Sequence, residues 1–440
     1  MKNTPINFDI VKEKIAQSGL KSIGKASIRE IKKLVDEIEK STGEKFIRME
    51  MGIPGLPPTE VGVQGQIDAL KKGVAAKYPD IQGVAELKTE ISRFVKLFMD
   101  IEVREEGCLP TVGSMQGGFA SFLLLSRLHK ERDTTLFIDP GFPVHKMQHR
   151  VLNLKFESFD VYNYRGEKLR EKLESYFSSG KIHSVIYSNP NNPSWICFND
   201  DELKIIGELA TKYDIVIMED LAYFGMDFRK DYSVPGVAPF QPTVAKYTDN
   251  YILFISSSKA FSYAGERIGM LVISDNLFKN RFNDLLEFYP SDEFGYAMIF
   301  GTLYPLSSGT SHSAQYALIA MLKAVNNGSL NFIEEVADYG KKAKIMKKLF
   351  IDNGFEIVYH TDIDQPIADG FYFTFSYPGM DAEELLNELV YYGISAISLL
   401  ITGSERVEGI RACTSLIQYN QFVDLESRLF QFHEDHPVAK

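Results

Sequence analysis

The chain alternates short apolar runs with amphipathic stretches, and the period of each run predicts its local structure. "SIREIKKLVDEIEKSTG" (27–43) places Ile28, Ile31, Leu34, Val35 and Ile38 at helical spacing, and Gly43 closes the helix. Further on, β-branched and aromatic runs predict buried strands at "TTLFID" (134–139), "HSVIYS" (183–188) and "IVIMED" (215–220). Two more follow at "YILFIS" (251–256) and "GMLVIS" (269–274). Helical stretches such as "DDELKIIGELATKY" (200–213) separate them, the pattern of βα units on a mostly parallel sheet. A long helical region around 313–350 comes next. Beyond it the character changes, with strands predicted at "FEIVYH" (355–360), "FYFTFSY" (371–377) and "GIRACT" (409–414). The predicted fold class is therefore α/β. A large domain (61–320) carries a mostly parallel, mixed sheet flanked by helices, and a smaller α+β domain is assembled from both termini (1–60 and 321–440).

Composition narrows the partners. In 440 residues there are 48 basic and 59 acidic side chains, a net charge of −11. That balance argues against nucleic acid or an anionic membrane as a general partner. The three cysteines, Cys108, Cys197 and Cys413, are an odd number in no metal-like spacing. Together with an N-terminal stretch, "MKNTPINFDI", that lacks the apolar core of a secretion signal, they predict a reduced, cytoplasmic setting. No apolar run approaches the ~20 residues of a membrane span.

In a parallel sheet, ligands bind beyond the carboxyl ends of the strands. Polar residues gather there repeatedly. "VIYSNPNNPSW" ends one strand with Asn189, Asn191 and Asn192; "IVIMEDLAYFG" ends another with Asp220 and Tyr223; "ILFISSSK" ends a third with Ser256 and Lys259. Singly, each has an ordinary explanation: a turn, a helix cap, a solvated lysine. A lysine at the end of a buried strand is costly unless it is paired or neutral, which makes Lys259 the residue to explain.

The segments "NPNNP", "DLAY" and "SSSKAFSYAGERIG", in this order and spacing, resemble the signature of the class I/II aminotransferases, pyridoxal 5′-phosphate enzymes of fold type I. The resemblance extends to "KYPDIQGVAEL" (77–87), "TVGSMQGG" (111–118), "DPGFPVH" (139–145) and "GIRACTS" (409–415), so it spans most of the chain. It implies that Lys259 joins covalently to the cofactor aldehyde and later carries a proton. Asp220 would pair with the ring nitrogen, Tyr223 and Asn192 would bond the phenolic oxygen, and Phe142 would stack on the ring. The phosphate would be held by the backbone N–H groups of Ser114 and Met115, by Ser256 or Ser258, by Arg267, and by Tyr78 of a partner subunit. Arg411, with Asn192 and Gly52 nearby, would receive the substrate carboxylate.

Two departures stand out. The asparagine motif is usually followed by Thr-Gly, where this chain has Ser194-Trp195, and "GIPGLPP" lacks the acidic residue often found after its proline. His145 and His149 lie at i, i+4, but Lys146 stands where a zinc protease needs Glu, so no metal site is expected. The expected activity is transfer of an amino group between an α-amino acid and an α-keto acid by a homodimer. Two alternatives share the motifs: a pyridoxal phosphate lyase of the carbon–sulfur β-lyase or aminocyclopropane-carboxylate synthase type, and a ligand-sensing regulator. The regulator is disfavoured because the ~60 residues before the α/β pattern hold no basic recognition helix. Dicarboxylate-specific relatives present an arginine before an "AQ" pair. The matching stretch here, "GTLYPLSSGTSHSAQYA" (301–317), has no arginine or lysine, so Tyr304, Leu306, Phe142 and Phe119 predict a preference for apolar or aromatic side chains.

Overall fold

The computed structural model describes residues 4–437; residues 1–3 and 438–440, the outer ends of the predicted small domain, lie outside it. A seven-stranded sheet organises the middle of the chain. Its strands in chain order are β1 (Cys108–Thr111), β2 (Thr134–Asp139), β3 (Lys155–Asp160), β4 (Ile182–Ser188), β5 (Val216–Leu221), β6 (Tyr251–Ser256) and β7 (Gly269–Ile273). Across the sheet the order is β1-β7-β6-β5-β4-β2-β3. Only β7 runs antiparallel to its neighbours, so the predicted mostly parallel, mixed sheet is present.

Side chains alternate between two cores, as a pleated strand requires. On β6, Ile252 and Phe254 enter one core with Met218 and Phe137, while Leu253 and Ile255 enter the other with Ile217 and Val185. Both faces of the strand are buried, which is why these runs are continuously apolar. The two strands absent from the sequence expectation lack that signature. The β3 segment "KFESFD" is an edge strand with Lys155, Glu157 and Ser158 exposed, and β1 contains Pro110. A proline at a sheet edge is tolerated because its missing donor faces no neighbour.

A third core joins both ends of the chain. Ile31, Leu34, Val35 and Ile38 of helix α1 (Ile28–Thr42) pack with Phe350, Phe373, Leu385 and Leu429. Ser27 opens α1 with a reciprocal capping box to Glu30, and Gly43 closes it in the left-handed region. Beside this core lies an antiparallel sheet of four short strands: β8 (Glu356–Ile357), β9 (Tyr372–Ser376), β10 (Ile397–Ser398) and β11 (Ile410–Cys413), in the order β10-β11-β9-β8. The strand expected over 355–360 shrinks to β8, because Val358 and Tyr359 leave the ladder and bury their side chains. Among the described residues, no helix is long and apolar enough to cross a membrane.

Candidate active site

Asp220 sits near the carboxyl end of β5, paired in register with Phe254 of β6. One residue beyond β6, a single helical turn (Ser257–Ala260) raises Lys259 from the sheet edge. Ser256 caps this turn, its hydroxyl accepting from the Ser258 N–H (3.1 Å), and the Ser257 hydroxyl is committed to the Ile268 carbonyl (2.6 Å). Of the three serines, Ser257 is thus occupied by the fold.

Burial sets the electrostatics. The Lys259 ammonium is pushed down to about 8, chiefly by burial, with Arg267 and Arg411 adding repulsion and Cys413 and Asp220 opposing it. Asp220 is pushed up to about 6 by burial, against the Ala222 N–H that its Oδ1 accepts (3.1 Å) and the nearby Lys259. An acid and an amine whose pKa values are brought towards each other thus stand on adjacent strand ends.

Beside Asp220 lies a small cavity of about 10 Å³, walled by Phe142, His145, Tyr187, Ser188 and Asp220. Phe142 precedes helix α2 (Pro143–Val151) and meets His145 edge-on at 5.4 Å. Burial holds His145 down to about 3, so its ring is neutral. The histidine pair that the sequence offers for metal is structural: the two His149 ring nitrogens bond the His145 carbonyl (3.0 Å) and Thr135 (2.9 Å). Among the described residues, no group of His, Cys, Asp or Glu is arranged to hold a metal ion.

Polar donors gather at one end. Helix α3 of the glycine-rich stretch (Gly113–Leu125, between β1 and β2 in the chain) starts with Ser114 and Met115 in its first turn. Gly113 has φ +65°, and a Cβ there would lie 2.6 Å from Nη2 of Arg267. A Cβ on Gly269 would come 3.0 Å from the Ser114 nitrogen. Glycine is needed at both, and the result packs a guanidinium against a helix N-terminus beside Ser256 and Ser258. Arg267 is exposed and steadied by the Ala264 carbonyl (2.8 Å).

The other end is built around Arg411 on β11, buried at 1% exposure. Its Nη2 donates to the Glu50 carbonyl (2.7 Å), its Nη1 to Asn192 Oδ1 (3.4 Å), and its Nε, also buried, has no partner. The Tyr372 ring lies 4.4 Å from the guanidinium carbon, and the Tyr372 hydroxyl bonds that of Tyr223 (2.7 Å). Burial pushes the Tyr223 phenol well up. A Cβ at Gly52 would fall 2.0 Å from the Tyr372 hydroxyl. Trp195, at the Thr-Gly departure, adopts φ +64° and is fully buried, its ring leaving no room for a side chain at Gly370.

Tyr78 does not join this assembly within one chain. It is 89% exposed, in a surface cleft with Ser307–Ser313. Tyr304 and Leu306 are exposed on the neighbouring helical turn Tyr304–Ser307. The sequence did not single out Tyr372 or the Glu50 carbonyl, and it noted His145 only as half of a histidine pair. His145 follows Phe142 by three residues and so shares its helix start, whereas Tyr372 is hidden in a run that reads only as a strand.

These residues fit pyridoxal 5′-phosphate: polar donors line one end, a buried guanidinium the other, and a buried carboxylate and a low-pKa amine stand on adjacent strand ends. Residues 44–398 match the family described as aminotransferase class I and II, and the chain belongs to that family, whose cofactor is pyridoxal phosphate. It is 25% identical over 361 residues to the probable aspartate aminotransferase of Methanocaldococcus jannaschii, covering 81% of this chain and 83% of that one. It is 28% identical over 239 residues to the glutamate-pyruvate aminotransferase AlaC of Escherichia coli, covering 52% and 54%. The fold matches alanine aminotransferase from Pyrococcus furiosus with a TM-score of 0.74 at 19% identity, over 94% of this chain and 98% of that one.

Proposed function

We propose that the chain exchanges an amino group between α-amino and α-keto acids whose side chains are neutral, apolar or aromatic. The observation that carries the assignment of roles is the pairing of Lys259, held down to about 8, with buried Asp220 on the adjacent strand. Pyridoxal phosphate supplies the aldehyde carbon that carries the amino group and a ring that withdraws electrons when its nitrogen is protonated. In this reading the Asp220 carboxylate holds that proton on the ring nitrogen. The Lys259 amine, once free, takes the proton from the substrate Cα and returns it on the other side of the transfer. An amine with a pKa near working pH suits both directions. Tyr223 and Asn192 face the phenolic oxygen, and Phe142 covers the ring. Ser114, Met115, Ser256, Ser258 and Arg267 receive the phosphate.

Arg411 receives the substrate carboxylate. Its unpartnered Nε supports this, because a buried N–H without an acceptor is expensive and a carboxylate would satisfy it. Gly52 and Asn192 border that place. Tyr78, exposed beside Ser307–Ser313, is proposed to complete the phosphate site of a second copy, which makes the working unit a homodimer. The chain's three cysteines are free, in keeping with a reducing cytoplasmic setting.

The side-chain preference rests on the stretch 301–317, which carries neither arginine nor lysine. A dicarboxylate would leave its second charge unpaired. Single-turnover conversion of the bound cofactor by phenylalanine, leucine, methionine, alanine and aspartate tests it. Phenylalanine, leucine and methionine should react faster than aspartate, and aspartate reacting fastest would overturn the preference. An S-alkylcysteine, which carries a β leaving group, separates transfer from lyase chemistry: transfer leaves the aminated cofactor, whereas a β-lyase releases thiol, ammonia and pyruvate and keeps the aldehyde form.

A further inference from the structure

Tyr372 touches two polar residues of the cleft, Arg411 and Tyr223. Its ring faces the Arg411 guanidinium at 4.4 Å, and its hydroxyl is 2.7 Å from that of Tyr223. The side chain is 2% exposed and held at its edges by Phe371, Tyr223 and Trp195, with ring centroids at 5.1, 5.4 and 6.1 Å. Trp195 is the residue that departs from the usual loop sequence, and it fills the space over Gly370. Gly52 leaves the room that the Tyr372 hydroxyl occupies.

Each phenol has one proton to donate. If Tyr223 donates to the cofactor oxygen, the bond between the two tyrosines must run from the Tyr372 hydroxyl to the Tyr223 oxygen. The cation over the Tyr372 ring favours this direction, since it makes that phenol the better donor. We propose that Tyr372 is a positioning residue with two separable duties: its ring seats Arg411 for the substrate carboxylate, and its hydroxyl directs the Tyr223 proton towards the cofactor. This rests on the roles proposed above for Arg411 and Tyr223.

The test uses pyridoxal phosphate-loaded protein and two measurements besides turnover. One is the pH midpoint of the visible absorbance; the other is the calorimetric Kd of 3-phenylpropionate, a carboxylate that cannot react. Tyr372→Phe keeps the ring and removes the hydroxyl. It should move the midpoint by about half a unit, as loss of one hydrogen bond implies, and leave Kd within about twofold. Gly52→Ala, pressing on the hydroxyl, should move the midpoint in the same direction. Tyr372→Leu should also weaken 3-phenylpropionate about tenfold, and should raise KM where Tyr372→Phe lowers kcat. In a Tyr223→Phe background, Tyr372→Phe should move the midpoint no further. An unmoved midpoint in Tyr372→Phe, additive shifts in the double variant, or an unchanged Kd in Tyr372→Leu overturns the proposal. Arg411→Lys separates the two levels. If it loses 3-phenylpropionate while Tyr372→Leu does not, only the role of Tyr372 falls; if it binds as tightly as the parent, the reading of Arg411 falls too.

Discussion

At the phosphate end of the cleft, Gly113, Ser114, Ser256, Ser258 and Arg267 stand on the ends of β1, β6 and β7 or in the turns that leave them. Those strands are neighbours in one sheet, and each residue lies within a few positions of a buried apolar run. At the carboxylate end, Arg411 meets a carbonyl 361 residues away and an amide 219 residues away, and Tyr372 meets a hydroxyl 149 residues away. One end is fixed by strand register and local turns. The other exists only when the core made from both chain termini packs against the large sheet. The first should therefore be robust and the second sensitive to small displacements.

Substitution at the junction of the two ends should have the largest effect. Lys259→Ala should lower turnover with phenylalanine by about 10³-fold or more, because the proton carrier is lost. Turnover within tenfold of the parent would mean that neither end serves the reaction proposed here. Arg411→Lys comes next. It cannot reproduce the fork, and should cost about 2 kcal/mol or more, seen as a rise in KM of about 30-fold with phosphate-end binding of the cofactor unchanged. A parallel loss of cofactor affinity would show that the two ends are not separable.

The third effect is on stability without cofactor. Lys259 titrates near 8 in the fold and at 10.5 when free, so the unfolded chain binds more protons between those values. Its burden is full below pH 8 and is relieved as pH rises towards 10.5. Lys259→Met should therefore stabilise cofactor-free protein by about 2 kcal/mol at pH 7, with the gain fading above pH 10. Denaturant midpoints at pH 7 and 10 measure it, and equal midpoints for parent and variant at pH 7 would contradict the buried-amine picture. The smallest expected effect lies far from the cleft. Ser27→Ala removes the cap of α1 and should cost about 1 kcal/mol, with the steady-state constants for phenylalanine unchanged. A rise in KM would show that the terminal core transmits strain to Arg411.

Five of the seven large-sheet strands were legible, because burial on both faces leaves a continuous apolar run that chance seldom produces. The two that were not are edge strands: β3 carries exposed polar residues such as Lys155 and Glu157, and β1, though buried, is only four residues long and contains Pro110. In the site, Lys259, Asp220, Tyr223 and Asn192 were legible as polar residues ending such runs. His145 was legible only as half of a histidine pair, since its edge-on contact with Phe142 depends on packing.

The sequence by itself determined five of the seven sheet strands, the helix start at Ser27 and the polar residues that punctuate the strand ends, because each depends on neighbours within about a dozen positions. Tertiary structure alone decided that Tyr372 lies between Arg411 and Tyr223, that Gly52 is small to admit a hydroxyl, and that Trp195 fills the space over Gly370. Those facts depend on which distant surfaces touch, and no local pattern encodes the distance between two side chains brought together by packing.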